Sequence, residues 1–169
     1  MFYYVDDYVV CRRMKFRIVA VGKLKEQYLK QAVDEYVKRI SRFASVEIVE
    51  VAESTFNGEP NVKQIQKIID TEGAAIMSKT EGYVIAADID GKQLSSTEIS
   101  ALIAKEKQNN STFTFVIGGS NGLSQQVKNS ADFRLSFGKI TLPHQLFRVV
   151  LCEQIYRACC IEGNVSYHK

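Results

Sequence analysis

The sequence predicts an α/β fold, a single domain with a mainly parallel β-sheet flanked by helices. From residue 15 onward, short runs rich in Val, Ile and Phe alternate with longer segments whose apolar residues recur every three or four positions. This alternation is typical of a parallel sheet with helices on its faces. A run at 113–117 that is apolar except for Thr114 leads directly into a glycine-rich loop, as expected for a buried strand of such a sheet.

Each predicted element has a local pattern behind it. At 46–51, Val and Ile alternate with Glu, which indicates a half-exposed strand. Apolar residues at 25–40 fall at helical spacing and leave a basic outer face. Ser95, followed three residues later by Glu98, forms a capping box that opens a helix. The predicted strands cover 16–21, 46–51, 83–89, 113–117 and 133–136, with a turn at 91–92, and the predicted helices cover 25–40, 62–79, 96–108, 124–129 and 143–161.

Composition favours a soluble globular protein. The chain has 169 residues, of which 46% are hydrophobic and 24% charged. No apolar run approaches the roughly 18 residues of a membrane span, so we expect no membrane association. The four cysteines, Cys11, Cys152, Cys159 and Cys160, form no CxxC pair. Cys152 and Cys159 would lie about 10 Å apart along a helix, too far to share a zinc ion. We therefore expect reduced core thiols, a cytoplasmic location and no metal.

The net charge of +3 is unevenly distributed along the chain. It is +5 over residues 15–42, −5 over 43–132 and +3 over 133–169. Basic ends suit a polyanion such as nucleic acid. Charge alone favours the alternative, in which Lys and Arg merely solvate a helix face.

Residues 1–13 are predicted to be an extension outside the fold, so that the domain covers 14–169. Two apolar stretches in this segment are followed by no small-residue cleavage site, and the sequence restarts at Met14-Lys15-Phe16. An upstream start codon or added residues account for this pattern better than a signal peptide does.

The loop Gly118-Gly119-Ser120-Asn121-Gly122 directly follows the apolar strand. Open α/β sheets bind ligands at the carboxyl ends of their strands, and glycine allows a close approach of backbone and ligand. The spacing is neither G-x-G-x-x-G nor that of a P-loop, which disfavours a nicotinamide-dependent Rossmann enzyme. Alone, the loop is equally consistent with a structural turn. Residues 137–144 form a second predicted loop at the same sheet edge.

The last predicted helix is apolar nearly all round, since only Arg148, Glu153, Gln154 and Arg157 are polar between 146 and 161. Such a helix is buried on most sides, which in a domain of this size indicates a subunit interface. Arg148 and Arg157 project from opposite faces because nine residues turn about 900°. They can serve one site only where two chains meet. For Arg157, an ion pair with Glu153 four residues earlier is the alternative.

Six sequence blocks occur together in a specific order. They are Val-Ala-Val-Gly-Lys at 19–23, Phe-Val-Ile-Gly-Gly-Ser-Asn-Gly-Leu at 115–123, Thr-Leu-Pro-His at 141–144, Arg-Val-Val-Leu at 148–151, Glu-Gln-Ile-Tyr-Arg-Ala at 153–158 and Tyr-His-Lys at 167–169. With these blocks the chain resembles the RlmH family of SPOUT methyltransferases over essentially all of 14–169.

The resemblance implies an S-adenosylmethionine-dependent enzyme that methylates N3 of a pseudouridine in helix 69 of 23S rRNA. It implies action on the assembled 70S ribosome as a homodimer. It further implies a SPOUT fold whose C-terminal part is threaded as a trefoil knot, a rare exception to the rule that chains are unknotted. The alternative is a ribosome-binding or rRNA-binding protein of the same fold that has lost catalysis. The intact Gly118 loop and Pro143-His144 speak against it.

By the same resemblance, three loops hold the cofactor. The predicted cofactor-binding residues are Ala87, Gly118, Gly119, Phe137, Gly138, Lys139, Ile140, Thr141 and Leu142. Family members commonly have Leu where Ala87 stands, so the packing on the adenine side is expected to be looser here. Residues 162–166 also depart from the more polar versions of the family, which affects the RNA contacts expected there.

The predicted catalytic residues are Tyr167, His168 and Arg157. A sulfonium makes its methyl group electrophilic, so the protein supplies alignment rather than a covalent nucleophile. His168 is a candidate acceptor for the N3 proton, and Tyr167 is a candidate to stack on the target base. The alternative, equally consistent with the sequence, is that the N3 proton passes to water and the tail only binds RNA. Arg148 or Arg157 is expected to reach phosphate across the dimer interface.

Overall fold

The computed structural model describes residues 3–5, 8–10, 14–56 and 58–167. Cys11 and His168, both named above, lie outside the described residues. The strands are β1 (Tyr3–Val5), β2 (Tyr8–Val10), β3 (Lys15–Val21), β4 (Ser45–Val51), β5 (Tyr83–Gln93), β6 (Thr112–Ile117) and β7 (Phe133–Ser136). The helices are α1 (Gln27–Ile40), α2 (Val62–Met77), α3 (Ser96–Glu106), α4 (Gln125–Ser130) and α5 (His144–Glu162).

Five strands form one parallel sheet in the order β4-β3-β6-β5-β7. Strands β1 and β2 pair with each other in a separate antiparallel sheet. The predicted α/β class with a mainly parallel sheet is therefore confirmed. Because all five strands are parallel, the segments that follow them emerge at one edge.

Alternate side chains of β3 face two separate layers of helices. Phe16 and Ile18 belong to one buried cluster, which includes residues of α1, α3 and α5. Val19 belongs to a second cluster with Ile76 of α2 and Val127 of α4. A sheet covered on both faces requires the nearly continuous apolar strands that the sequence shows.

Local hydrogen bonds fix the helix ends. Ser95 caps α3 in the predicted capping box, and Asn61 forms a second such box at the start of α2. Helix α2 ends at Met77, two residues earlier than predicted. The hydroxyl groups of Ser78 and Thr80 donate to carbonyls of the last turn, and such side-chain bonds compete with continuation of the helix.

Strand β5 is longer than predicted and bulges where a turn was expected. The predicted strand ends at Ile89, with a turn at 91–92, whereas β5 continues to Gln93. Its register against β7 shifts between Ala87 and Lys92, so the residues in between leave the ladder. Where the turn was predicted, the chain therefore forms a bulge within the carboxyl half of β5.

Helix α5 packs between α1 and α3, which confirms the predicted extensive burial of this helix. The Ser100 hydroxyl of α3 donates to the Ala158 carbonyl at 3.1 Å. Tyr36 of α1 lies against Tyr156 with ring centroids 6.3 Å apart. Leu146, near the start of α5, nevertheless keeps 39% of its surface exposed.

The three described cysteines are free and buried in α5. Burial raises the pKa of Cys152 to about 12 and the pKa of Cys159 to about 12. Thiols with such pKa values stay protonated near neutral pH and are poor nucleophiles. The prediction of reduced core thiols is confirmed for these residues.

Two classes of feature are missing from the described ranges. None of the helices there is both long and apolar enough to cross a bilayer. In the same ranges, no three side chains of His, Cys, Asp or Glu are grouped so that they could hold a metal ion.

Arg148 is only 1% exposed, so the expectation that it reaches RNA phosphate is wrong. Its Nη2 donates to the carbonyl oxygens of Val21 at 2.7 Å and Gly22 at 2.6 Å. Its Nη1 donates to Glu50 Oε1 at 3.0 Å, and the same oxygen accepts from the Leu24 amide. The guanidinium binds carbonyls that the parallel ladder leaves free where β3 ends. The hydrogen bonds of Arg148 therefore anchor α5 to the carboxyl end of β3.

We expect Arg148→Met to lower the free energy of unfolding by about 3 to 5 kcal/mol, because it leaves buried carbonyl oxygens without donors. Urea denaturation followed by circular dichroism, at fixed protein concentration, measures the change. Arg157→Met is the matched control in the same helix. Its partner is one turn away and partly exposed, so a loss below about 1 kcal/mol is expected. Equal losses for the two variants would contradict the anchoring role of Arg148.

Candidate active site

Three segments of the chain meet at the carboxyl edge of the sheet. They are the bulge at 88–91 in β5, the glycine loop at 118–122 after β6 and the segment at 137–143 after β7. Together with the start of α5 they enclose a cavity of about 710 Å³. A cavity of this size is typical of sites for small molecules.

The cavity wall contains all of the predicted cofactor-binding residues except Lys139, which is exposed. The predicted residues on the wall are Ala87, Gly118, Gly119, Phe137, Gly138, Ile140, Thr141 and Leu142. The structure thus brings the three predicted loops together around one cavity. The polar wall residues that our sequence interpretation did not assign to the cofactor site are Asp88, Ser120, Lys128 and His144.

Close backbone contacts account for the glycines of the loop. A Cβ atom on Gly118 would lie 2.6 Å from the carbonyl oxygen of Gly122. Gly122 has a φ of 81° and donates to the Gly119 carbonyl at 3.0 Å. The loop is therefore a tight turn and also a cavity wall, so both interpretations of its sequence hold.

Another part of the cavity wall is largely apolar. The rings of Phe137 and Phe147 meet edge to face, with centroids 4.9 Å apart and an interplanar angle of 85°. Leu135 and Leu142 extend this surface. Gly138 has a φ of 104°, which allows the chain to turn beside Phe137. A flat apolar ring can lie between this wall and the glycine loop.

Asp88 forms a charged network on the wall of the cavity. Its side chain is 2% exposed, and its two oxygens accept from Lys128 Nζ at 3.0 Å and Arg134 Nε at 2.7 Å. Burial alone would raise the pKa of Asp88, but these two hydrogen bonds outweigh it and the pKa is lowered. Asp88 is therefore held as a carboxylate. Its position directly after Ala87, at the end of the predicted strand, was the signal available in the sequence.

An acid, a hydroxyl and an imidazole gather around Gly22 at the rim of the cavity. Glu53 Oε2 and His144 Nε2 each lie 3.5 Å from the position of a Cβ atom on Gly22. The Ser120 hydroxyl donates to Glu53 Oε1 at 3.4 Å. Two of these groups, Ser120 and His144, are on the cavity wall, so the cavity has a polar region in addition to its apolar one.

The predicted catalytic residues Tyr167 and Arg157 lie against each other at the end of α5. The Arg157 guanidinium carbon is 4.9 Å from the centroid of the Tyr167 ring. Tyr167 also meets Tyr156 edge-on, with centroids 4.7 Å apart. Arg157 donates from two nitrogens to Glu153 Oε1, at 2.9 and 2.6 Å. The predicted ion pair within the helix is therefore confirmed.

These tail residues do not join the cavity of the same chain. Neither Tyr167 nor Arg157 is on its wall. Arg157 lies more than three turns along α5 from His144, about 20 Å away. His168 follows Tyr167 and lies outside the described residues. Within one chain, the loops of the predicted cofactor site and the described part of the predicted catalytic tail are therefore apart.

Comparison with known proteins gives the family. Residues 14–168 match the family described as predicted SPOUT methyltransferase. The chain is 50% identical over 159 residues to the ribosomal RNA large subunit methyltransferase H of Streptococcus agalactiae, covering 92% of this chain and 100% of that protein. It is 48% identical over 159 residues, with the same coverage, to the protein of that name from Streptococcus pneumoniae.

A solved structure with low sequence identity supports the fold. The tRNA (m1G37) methyltransferase from Aquifex aeolicus superposes with a TM-score of 0.50 at 14% identity, over 86% of this chain and 69% of that one. The family match and the two streptococcal relatives confirm the resemblance noted in the sequence. The chain belongs to the SPOUT methyltransferase family and groups with its ribosomal RNA large subunit methyltransferase H members.

Proposed function

We propose that this methyltransferase uses S-adenosylmethionine to methylate N3 of a pseudouridine in helix 69 of 23S rRNA, on the assembled 70S ribosome. The observation that carries the proposal is the cavity at the carboxyl edge of the sheet, which is lined by glycine backbone and by the rings of Phe137 and Phe147. Support for the RNA substrate comes from the names of relatives that match this chain over their whole length.

The cavity fits the proposed cofactor chemically. The apolar wall suits a purine ring, and the backbone at Gly118 and Gly119 offers amide and carbonyl groups that no side chain covers. Ala87 leaves more room than a leucine would, consistent with looser packing against adenine. When bound, S-adenosylmethionine supplies an electrophilic methyl group on a sulfonium, so the proposed transfer requires no metal.

The remaining tasks of the chain are alignment, RNA binding and removal of a proton. Tyr167 is proposed to stack on the target base, and His168 is proposed to accept the N3 proton. Arg157 is proposed to bind an RNA phosphate. Arg157 has five N–H donors. Glu153 accepts one hydrogen bond from its Nε and one from its Nη2, so donors remain for an anion.

A homodimer is proposed to complete the active site. Because about 20 Å of α5 separates Arg157 from His144, the tail of one subunit cannot lie over its own cavity without unpacking. A twofold contact between two copies of α5 places the end of one helix beside the start of the other. The partly exposed Leu146 at the start of α5 suits such a contact. Each dimer then holds two sites, each with loops from one subunit and a tail from its partner.

Three further proposals accompany this function. The protein acts in the cytoplasm, where its ribosomal substrate and its reduced thiols are expected. Residues 1–13 lie outside the methyltransferase domain, in accordance with a family match that begins at residue 14. The C-terminal part is threaded as a trefoil knot.

Mass spectrometry of 23S rRNA tests the proposed function. In cells that lack this protein, the fragment containing helix 69 is expected to lose the mass of one methyl group on its pseudouridine. Expression of the wild-type chain is expected to restore that mass, and expression of Gly118→Ala is not. An unchanged methyl-pseudouridine in the deletion strain contradicts the proposal. Together with cosedimentation of the protein with ribosomes, that result would favour the ribosome-binding alternative without catalysis.

A further inference from the structure

Helix α2 buries a carboxyl group behind the glycine loop that the proposed reaction does not use. Glu72 is 3% exposed. Its Oε1 accepts from the Ser54 amide at 2.9 Å, whereas its buried Oε2 has no hydrogen-bond partner among the described residues. Leaving a buried polar atom unpaired costs on the order of 1–3 kcal/mol. The unpaired oxygen lowers the stability of the fold. Stability therefore does not account for a carboxyl group at this position.

The unpaired oxygen points at the wall of the cavity. Glu72 Oε2 lies 2.9 Å from the position of a Cβ atom on Gly119, and the backbone of Gly119 lines the cavity. The next residue of α2, Gly73, lets the helix come this close, because any side chain there would overlap the Ser124 hydroxyl. One layer of glycine backbone therefore separates the carboxyl group from the cavity.

No described cation is paired with Glu72. Burial raises the pKa of Glu72, the Ser54 amide opposes that rise, and the nearby Glu53 carboxylate adds to it. Of the charged groups on the cavity wall, Lys128 and Asp88 are paired with each other. A positive charge on the ligand would supply the missing counter-charge and favour the ionised form of Glu72. In a buried setting such an interaction is screened far less than in water.

We propose that Glu72 is a positioning residue that, acting through Gly119, makes the cavity prefer a cationic sulfonium ligand to a neutral thioether. This inference rests on the proposed function, since the ligands are S-adenosylmethionine and its product S-adenosylhomocysteine. In the transfer, the methyl group passes to N3, N3 loses its proton and the sulfur keeps the bonding electron pair and becomes neutral. Glu72 then faces no positive sulfur, so the spent cofactor is held less tightly than the fresh one.

Isothermal titration calorimetry of the full chain with each ligand tests the proposal. Glu72→Gln keeps the shape and removes the charge. It is expected to weaken binding of S-adenosylmethionine about tenfold and to change binding of S-adenosylhomocysteine less than about twofold. Glu72→Met, a second neutral variant of similar length, is expected to shift the ratio of affinities in the same direction. Asp70→Asn is the matched control, because it removes one exposed acid from the same helix, and it should leave both affinities unchanged.

A dependence on pH provides a readout that a purely structural role would not give. In the wild type, preference for the sulfonium ligand is expected to rise with pH as Glu72 ionises, and in Glu72→Gln this rise should be smaller. His144, Glu53, Asp88 and Lys128 are present in both proteins, so the difference between the two profiles isolates Glu72. The comparison of the two pH profiles tests the role of Glu72 in any variant that folds. The inference also requires that the preference of the wild type for the sulfonium ligand rises with pH.

The outcomes separate this inference from the proposed function. Equal weakening of both ligands by Glu72→Gln, or no change in either, would overturn the inference, as would a flat wild-type profile. A wild-type chain that binds neither ligand at millimolar concentration would instead overturn S-adenosylmethionine as the cofactor. Loss of the preference for the sulfonium ligand in Glu72→Gln, with the affinities of Asp70→Asn unchanged, would establish the positioning role of Glu72.

Discussion

Gly118→Ala is expected to weaken binding of S-adenosylmethionine and to lower the methylation rate at least about a hundredfold. The added Cβ would lie 2.6 Å from both the carbonyl carbon and the carbonyl oxygen of Gly122. These atoms belong to the backbone, so no side-chain rotation relieves the overlap and the turn must open. The turn is the wall of the cavity, so opening it removes contacts with the cofactor. Misplacement of reacting groups by about 1 Å lowers the reaction rate about a hundredfold. Calorimetry with the purified variant measures the affinity.

A second glycine controls for a general loss of stability. Gly82 has a φ of 66°, and an added Cβ would overlap the backbone of Thr112 at the amino end of β5. Gly82→Ala is therefore as unfavourable sterically but acts at the edge of the sheet away from the cavity. It is expected to lower the unfolding temperature and to leave cofactor affinity unchanged below that temperature. Wild-type affinity in Gly118→Ala would show that the glycine loop does not form the cofactor site.

The fold was predictable because its determinants are local. Periodicity along each segment distinguishes strand from helix, and the capping box at Ser95 sets a helix start within four residues. The bulge in β5 was not predictable in the same way. Gly91 reads as a turn residue in isolation, and only pairing with β7, more than forty residues later, continues the strand to Gln93.

The cavity was partly predictable for a geometric reason. Parallel strands deliver the loops that follow them to one edge, so the loops at 118–122 and 137–142 were expected to meet. The role of Arg148 was not accessible, because its partners Val21 and Gly22 lie 127 and 126 residues away in sequence. The position of Glu72 behind the cavity was not predictable for the same reason. Nothing in the sequence of α2 indicates that its carboxyl group lies behind Gly119.

The residue roles came from the resemblance and not from the pattern. The helical spacing nevertheless supplied one constraint that the structure supports, namely that Arg148 and Arg157 point in different directions. One is buried against β3, and the other lies beside Tyr167 at the far end of the helix. The remaining question is whether the tail acts on the cavity of a second subunit.

Heterodimers made from two inactive variants are expected to regain about half of the wild-type methylation rate per dimer. One variant is Gly118→Ala, which has a defective cavity and an intact tail. The other lacks residues 167–169 and has an intact cavity. In a twofold dimer with shared sites, one site combines both defects and the other combines both intact parts. Differently tagged chains, purified through both tags, give the heterodimer, and single-turnover methylation of ribosomes gives the rate.

The matched control is a heterodimer of the truncated chain with a chain that carries both changes. It has one intact cavity and no intact tail, so it must stay inactive if the first pair is rescued by shared sites. Inactivity of the first pair, with tags confirming that heterodimers formed, would place each complete site within a single subunit. The tail would then have to leave Tyr156 and cross about 20 Å to reach its own cavity. The packing of Tyr167 against Arg157 and Tyr156 opposes that movement, so we expect rescue.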